Sequence, residues 1–133
     1  MDLEQQIAEK ANKAPRVTPR DVETAIRSEH YFTAHDGARM AGEIAADGSD
    51  LRVPEELSLL TFCVLVLDNG FTVTGESACA SPENFDPGIG RKVARQNAVN
   101  KVWSLLGFRL KDRLRAAAII GFDPSVRPLS GRY

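Results

Sequence analysis

The clearest pattern in the chain is a pair of apolar runs around Asn69-Gly70. Leu59 to Leu67 is continuous and rich in β-formers, and Phe71-Thr72-Val73-Thr74 follows the dipeptide. Asn-Gly between such runs predicts a two-residue type I′ hairpin, because that turn needs positive φ at both central residues. The strands fall at about 59–67 and 71–79. A two-residue loop sets the register: Asp68 faces Phe71, Val66 faces Val73 and Val64 faces Gly75. One face then collects Phe62, Val64, Val66, Phe71 and Val73. The other holds Cys63, Leu65 and Leu67 beside Thr72, Thr74 and Glu76. That second face is half apolar and needs a cover, either a helix or a second subunit. The same register points Cys63 and Cys79 to opposite faces, so they are expected as small packing residues without a disulfide.

Residues 2–13 read as a short polar helix with Leu3, Ile7 and Ala8 as its apolar stripe, ended by Pro15. Thr18-Pro19-Arg20-Asp21 is a helix start, with Thr18 as N-cap and Pro19 at the first helical position. That helix runs to Arg27 with Val22, Ala25 and Ile26 inward. His30 to Thr33 is aromatic and β-prone, a short strand. Residues 35–55, with Gly37, Gly42, Gly48, Pro54 and many acidic groups, predict a loop. Beyond the turn cluster Ser81 to Pro87, a helix is predicted from about Gly88 to Leu106. Gly107 breaks it, and a second helix runs from Arg109 to Ile120. The fold class is therefore α+β: a small antiparallel sheet built on the hairpin, packed with C-terminal helices at about 88–106 and 109–120. Residues 1–17 form a polar helical extension, 18–115 a single α+β domain, and 116–133 an irregular tail.

Composition adds less than its distribution. A chain of 133 residues suits one domain with a real core. No apolar run approaches the length of a membrane span, and Met1 to Gln6 is too polar for a secretory signal. The expectation is a soluble, cytoplasmic protein with no cofactor. Two cysteines are too few for a zinc site, so no metal is expected. The net charge of −1 conceals a split. Residues 1–90 carry 7 basic and 16 acidic groups, whereas residues 91–115 carry eight basic groups against Asp112 alone. Such asymmetry points to an anionic partner, or to a solvated helix face paired with the acidic body.

The basic segment can be placed on helix faces. Ala94, Ala98, Val99, Val102, Trp103, Leu105 and Leu106 share one arc, which faces the sheet. Asn97, Asn100, Lys101 and Ser104 lie opposite. Arg91, Lys92 and Arg95 fall on the apolar side in the first two turns. Charged groups are not buried unpaired, so the helix start is expected to overhang the sheet end. That makes a cleft of basic side chains and a helix N-terminus, bordered by Glu83 to Asp86 and suited to phosphate. Phe85 is placed to stack on a base, with Asn84 beside it. Asn97 and Asn100 suit a base edge or ribose, or simply face solvent. Arg109 and Arg113, one turn apart, clamp an anion or form a surface face. Arg91 and Arg95 alternatively pair with Glu83 and Asp86 and cap the fold. No sequence signature of a hydrolase, zinc protease, P-loop or dinucleotide fold is present, so no catalysis is expected.

Three blocks resemble a known family. They are Asn69-Gly70-Phe71-Thr72-Val73-Thr74-Gly75-Glu76-Ser77-Ala78-Cys79, then Asn84-Phe85-Asp86, then Ile89-Gly90-Arg91-Lys92-Val93-Ala94-Arg95-Gln96-Asn97-Ala98-Val99-Asn100-Lys101-Val102-Trp103. Together with Thr18 to Tyr31 and Gly107 to Leu114, they resemble a family of small tailed-phage proteins over roughly residues 18–114. The family is similar to the first type of Thoeris anti-defence protein. Those proteins bind, without cleaving, the cyclic ADP-ribose isomers that TIR enzymes make from NAD; some also hold cyclic oligonucleotides. The resemblance implies a homo-oligomer, dimer or hexamer, with antiparallel strands, C-terminal helices and a nucleotide cleft. It assigns Phe85 to base stacking, Asn97 to polar recognition, and Arg109 and Arg113 to phosphate.

The expected partner is thus a small anionic nucleotide. Extended nucleic acid is disfavoured by the acidic body, although a three-stranded sheet with a basic C-terminal helix is similar to double-stranded-RNA-binding domains in architecture. A third reading is an inhibitor of a host protein, acting through the Cys63, Leu65 and Leu67 face.

Overall fold

The computed structural model describes residues 2–10, 14–42 and 52–121. Most of the predicted 35–55 loop beyond Gly42, and the tail after Gly121, lie outside the described residues. Helix α1 spans Leu3–Lys10. Helix α2, Pro19–Ala25, starts as predicted. Thr18 Oγ1 accepts the Asp21 N–H at 3.1 Å, and the Asp21 carboxylate accepts the Thr18 N–H at 2.9 Å. This reciprocal pair satisfies two donors that a helix start leaves unpaired. The helix ends at Ala25, earlier than predicted, and the chain passes directly into β1, Ile26–Thr33.

The β1 strand is longer than the aromatic run predicted. It takes in Ile26 to Glu29 through a bulge at Arg27, where Ile26 pairs with Leu67 and Ser28 with Val66. The bulge lets Ile26 sit on the same side of the sheet as Leu67 although the next pairs alternate. Helix α3, Ala34–Ala41, occupies part of the segment predicted as loop. Its start is a second reciprocal cap: Thr33 Oγ1 accepts the Asp36 N–H and Asp36 Oδ2 accepts the Thr33 N–H, each at 3.1 Å. Those bonds hold the Asp36 carboxyl below the usual carboxylate range.

Strands β2, Leu60–Leu67, and β3, Thr72–Ala78, complete a three-stranded antiparallel sheet of order β1-β2-β3. The fold class is α+β as predicted. The register is not. Val66 pairs with Thr72, Leu65 with Val73, and Cys63 with Gly75, one residue away from the predicted pairing. The turn explains the shift. Gly70 N–H bonds Leu67 O at 2.9 Å and Leu67 N–H bonds Phe71 O at 2.8 Å, so the loop holds three residues, Asp68-Asn69-Gly70. Gly70 has φ +88°, while among the described residues none other than glycine has positive φ. Asn69 therefore cannot supply a type I′ turn; the loop is a type I turn closed by a left-handed glycine.

The shift exchanges the faces. Thr61, Cys63, Leu65 and Leu67 of β2, with Val73 and Gly75 of β3, are all buried. Phe62, Val64 and Val66 sit half-buried on the other side, and Phe71 is exposed. The surface proposed for a host partner, Cys63, Leu65 and Leu67, is core. Cys63 and Cys79 are unpaired thiols as expected, although not for the reason given. The observed parity puts 73, 75 and 77 on the face of Cys63, and Cys79 lies just past the strand end.

Helix α4 is one continuous helix, Pro87–Ile120. Gly107 lies inside it and does not break it, since a glycine costs a helix interior only about 1 kcal/mol against alanine. The stop is Gly121, whose φ of +68° ends the helix. Residues 116–120, counted with the irregular tail, are helical. Ala94, Ala98, Val99, Val102 and Leu106 are buried as predicted, whereas Leu105 is exposed. The chain divides into two compact units. One is Ala25–Val102, with the sheet, α3 and the first part of α4. The other combines Met1–Thr24 with Trp103–Tyr133. In that second unit Arg16 reaches Glu4 at 3.0 Å.

Candidate functional site

Helix α4 begins on its own anion. Asp86 Oδ1 accepts the Ile89 N–H at 3.0 Å, with Pro87 at the first helical position. Glu83 is engaged nearby: the Ser81 hydroxyl donates to its carboxylate and holds it below the usual carboxylate range. The helix start does not overhang the sheet. Gly90 is buried, and a Cβ built on it would lie 3.0 Å from Thr61 Oγ1 and 3.5 Å from the Phe85 ring. One turn on, a Cβ on Gly75 would lie 2.1 Å from Ala94 O and 2.3 Å from Ala98 N. Helix and strand backbones are therefore in direct contact. The charged residues of the first turns escape burial sideways, not by projecting past the sheet end.

That sideways route defines the polar cluster of this unit. Arg91 and Lys92 are exposed. Arg95 Nε donates to Glu29 Oε2 of β1 at 3.0 Å. Glu29 Oε1 in turn accepts the Tyr31 hydroxyl at 3.1 Å. Tyr31 pairs across the sheet with the fully buried Cys63. Burial first, then the bond to Glu29, pushes the Tyr31 hydroxyl pKa well above its ordinary value, so the group stays a proton donor. Burial also raises the Cys63 thiol, which makes it unreactive.

The other candidates are distributed. Phe85 is half-buried against Gly90, and Asn84 is exposed in a short 3-10 turn, Pro82–Asn84. Asn97, placed by periodicity on the arc away from the sheet, instead donates from Nδ2 to Glu76 O of the edge strand β3 at 2.7 Å. Its amide ties α4 to the sheet. Asn100 accepts a 2.9 Å bond from Gln96. Arg109 and Arg113 are half-buried on the part of α4 that belongs to the other unit. The structure thus brings Phe85, Arg91 and Arg95 to one end of α4 within one unit. It assigns Arg109 and Arg113 to the other unit. Glu29 and Tyr31 were not candidates. The link from Glu29 to Arg95 spans 66 residues of sequence and leaves no local signal.

No group of three His, Cys, Asp or Glu among the described residues is arranged to hold a metal ion. No helix among them is long and apolar enough to cross a membrane. No curated protein and no solved structure matches the chain. The model of the phage protein (N4 Gp49/phage Sf6 gene 66) family matches residues 17–114. That span takes in the sheet, the Glu29–Arg95 pair and most of α4, and on this match the chain belongs to that phage protein family.

Proposed function

We propose that this phage protein binds a small anionic nucleotide and sequesters it without cleaving it. The cyclic ADP-ribose isomers made by TIR enzymes are the leading candidates, and cyclic oligonucleotides come second. The observation that carries the reading is the arrangement at the start of α4: Arg91 and Arg95 one turn apart, with the Phe85 ring at the same end. A guanidinium pair suits phosphate and a ring edge suits a base. The resemblance to anti-defence sponges adds Arg109 and Arg113 for phosphate and Asn97 for polar recognition. It also supports action as a homo-oligomer, dimer or hexamer, in the host cytoplasm. Asn97 is the weakest member of this set, because its amide is already bonded to Glu76 O.

Calorimetry against cyclic ADP-ribose isomers tests the reading. Tight binding is expected, with the ligand recovered intact by mass spectrometry after the protein is denatured. No heat with any isomer or with a cyclic oligonucleotide overturns it. The order of elements, α2-β1-β2-β3-α4 with α3 inserted, favours one second reading, a small nucleic-acid-binding module. Affinity for duplex that falls steeply with salt would select it.

A further inference from the structure

The Glu29 carboxylate lies between two donors from different elements. Arg95 Nε of α4 donates to one oxygen at 3.0 Å, and the Tyr31 hydroxyl of β1 donates to the other at 3.1 Å. The side chains of the ion pair are 30% and 37% exposed, so solvent reaches the carboxylate. A guanidinium N–H and a phenol O–H directed at one anion are also donors that a phosphate oxygen accepts from. Arg91, exposed one turn earlier on α4, adds positive charge on the approach. The high pKa of Tyr31 keeps its proton available for donation.

We propose that Glu29 is a built-in counter-anion: it occupies the position at Arg95 and Tyr31 that a ligand phosphate takes, and the phosphate displaces it. The identity of the ligand rests on the nucleotide reading above; the anion exchange itself does not. The exchange makes the site selective. A singly charged anion gains little by replacing one carboxylate with another, whereas a pyrophosphate brings more charge to the same donors. Glu29 therefore sets the affinity threshold although it makes no attractive contact with the ligand.

The test uses the full chain with inorganic pyrophosphate and cyclic ADP-ribose as probes, by calorimetry. Glu29→Gln removes the competing charge and keeps one acceptor oxygen of similar shape at the site. It is expected to tighten pyrophosphate binding about tenfold. In that background Tyr31→Phe is expected to give back about threefold, and Arg95→Ala to abolish the gain. Exposed ion pairs contribute little to stability, so the Gln variant is expected to melt with the wild type. Glu29→Ala is a second variant with the same expectation. Pyrophosphate binding no tighter in either variant than in the wild type overturns the proposal. If the wild type then still binds cyclic ADP-ribose, the sequestration reading stands alone. A gain for pyrophosphate with no cyclic ADP-ribose binding by any chain supports the counter-anion and overturns the nucleotide identity instead.

Discussion

The two faces of the sheet share the apolar residues of β2 and differ in what β3 adds to each. β2 gives Cys63, Leu65 and Leu67 to one side and Phe62, Val64 and Val66 to the other, an even division of apolar residues. Only the first set is buried. What distinguishes the sides is β3, which offers Val73 and Gly75 to the covered face and Thr72, Thr74 and Glu76 to the open one. Gly75 lets the α4 backbone come down on the strand through Ala94 and Ala98, both fully buried. The open face carries larger groups, including the Phe32–Phe62 stacked pair with ring centroids 5.7 Å apart. A helix of small residues selects the face with small residues opposite it.

The largest effect should come from breaking that contact. Gly75→Val places atoms where Ala94 O and Ala98 N already stand, and backbone cannot rotate away as a side chain would. A loss of about 3 kcal/mol or more is expected by denaturant unfolding, with failure to fold at the extreme. Thr74→Val, one residue away on the open face, should change stability by less than about 0.5 kcal/mol. Equal effects at the two positions would mean that α4 does not rest on Gly75.

Next comes the parity of β2 itself. Leu65 is fully buried, so Leu65→Ala is expected to cost about 2–5 kcal/mol. Val64→Ala, half-buried on the open side, should cost about 1 kcal/mol or less. The reverse order would mean that the Phe62, Val64 and Val66 face is the covered one, so the pair of variants decides which side of β2 meets the core.

Why the sequence located this hairpin and misplaced its register follows from those residues. Asn69-Gly70 marks a turn in either form, because a two-residue type I′ loop and a three-residue loop with a left-handed glycine both use it. Hydrophobicity could not arbitrate, since both sides of β2 are apolar. The cap at Thr18 is legible because it rests on residues within one turn; the equally local cap at Asp86 lies in a segment that reads as a turn cluster. The same chemistry at Thr33 and Asp36 starts α3, hidden in a stretch whose glycines and acidic groups read as loop. Gly107 resembles a stop because it directly follows Leu106, the last residue of the apolar arc. Glycine ends a helix only where the backbone turns left-handed, as at Gly121. The candidate site was legible where it lay along one helix, as Arg91 and Arg95 do. It was illegible where β1 contributes, because Glu29 meets Arg95 only once the sheet and α4 have docked.

The smallest predicted effect has the opposite sign. Thr61 lies on the covered face, 3% exposed, between Thr33 of β1 and Ser77 of β3. Its Oγ1 is buried and finds no hydrogen-bond partner among the described residues. A buried hydroxyl without a partner has lost its hydration and gained nothing in return. Thr61→Val keeps the branched shape and the β preference while removing the polar atom. It is expected to stabilise the protein by about 1 kcal/mol, read as a higher midpoint in denaturant with the slope unchanged. The close approach of Gly90 works against it, because a methyl is slightly larger than the oxygen it replaces beneath the helix. Thr72→Val on the open face removes a solvated hydroxyl and should be near neutral by comparison. A Thr61→Val protein less stable than the wild type would show that close packing beneath Gly90 outweighs the release of the buried hydroxyl, so that shape and not polarity sets this end of the covered face.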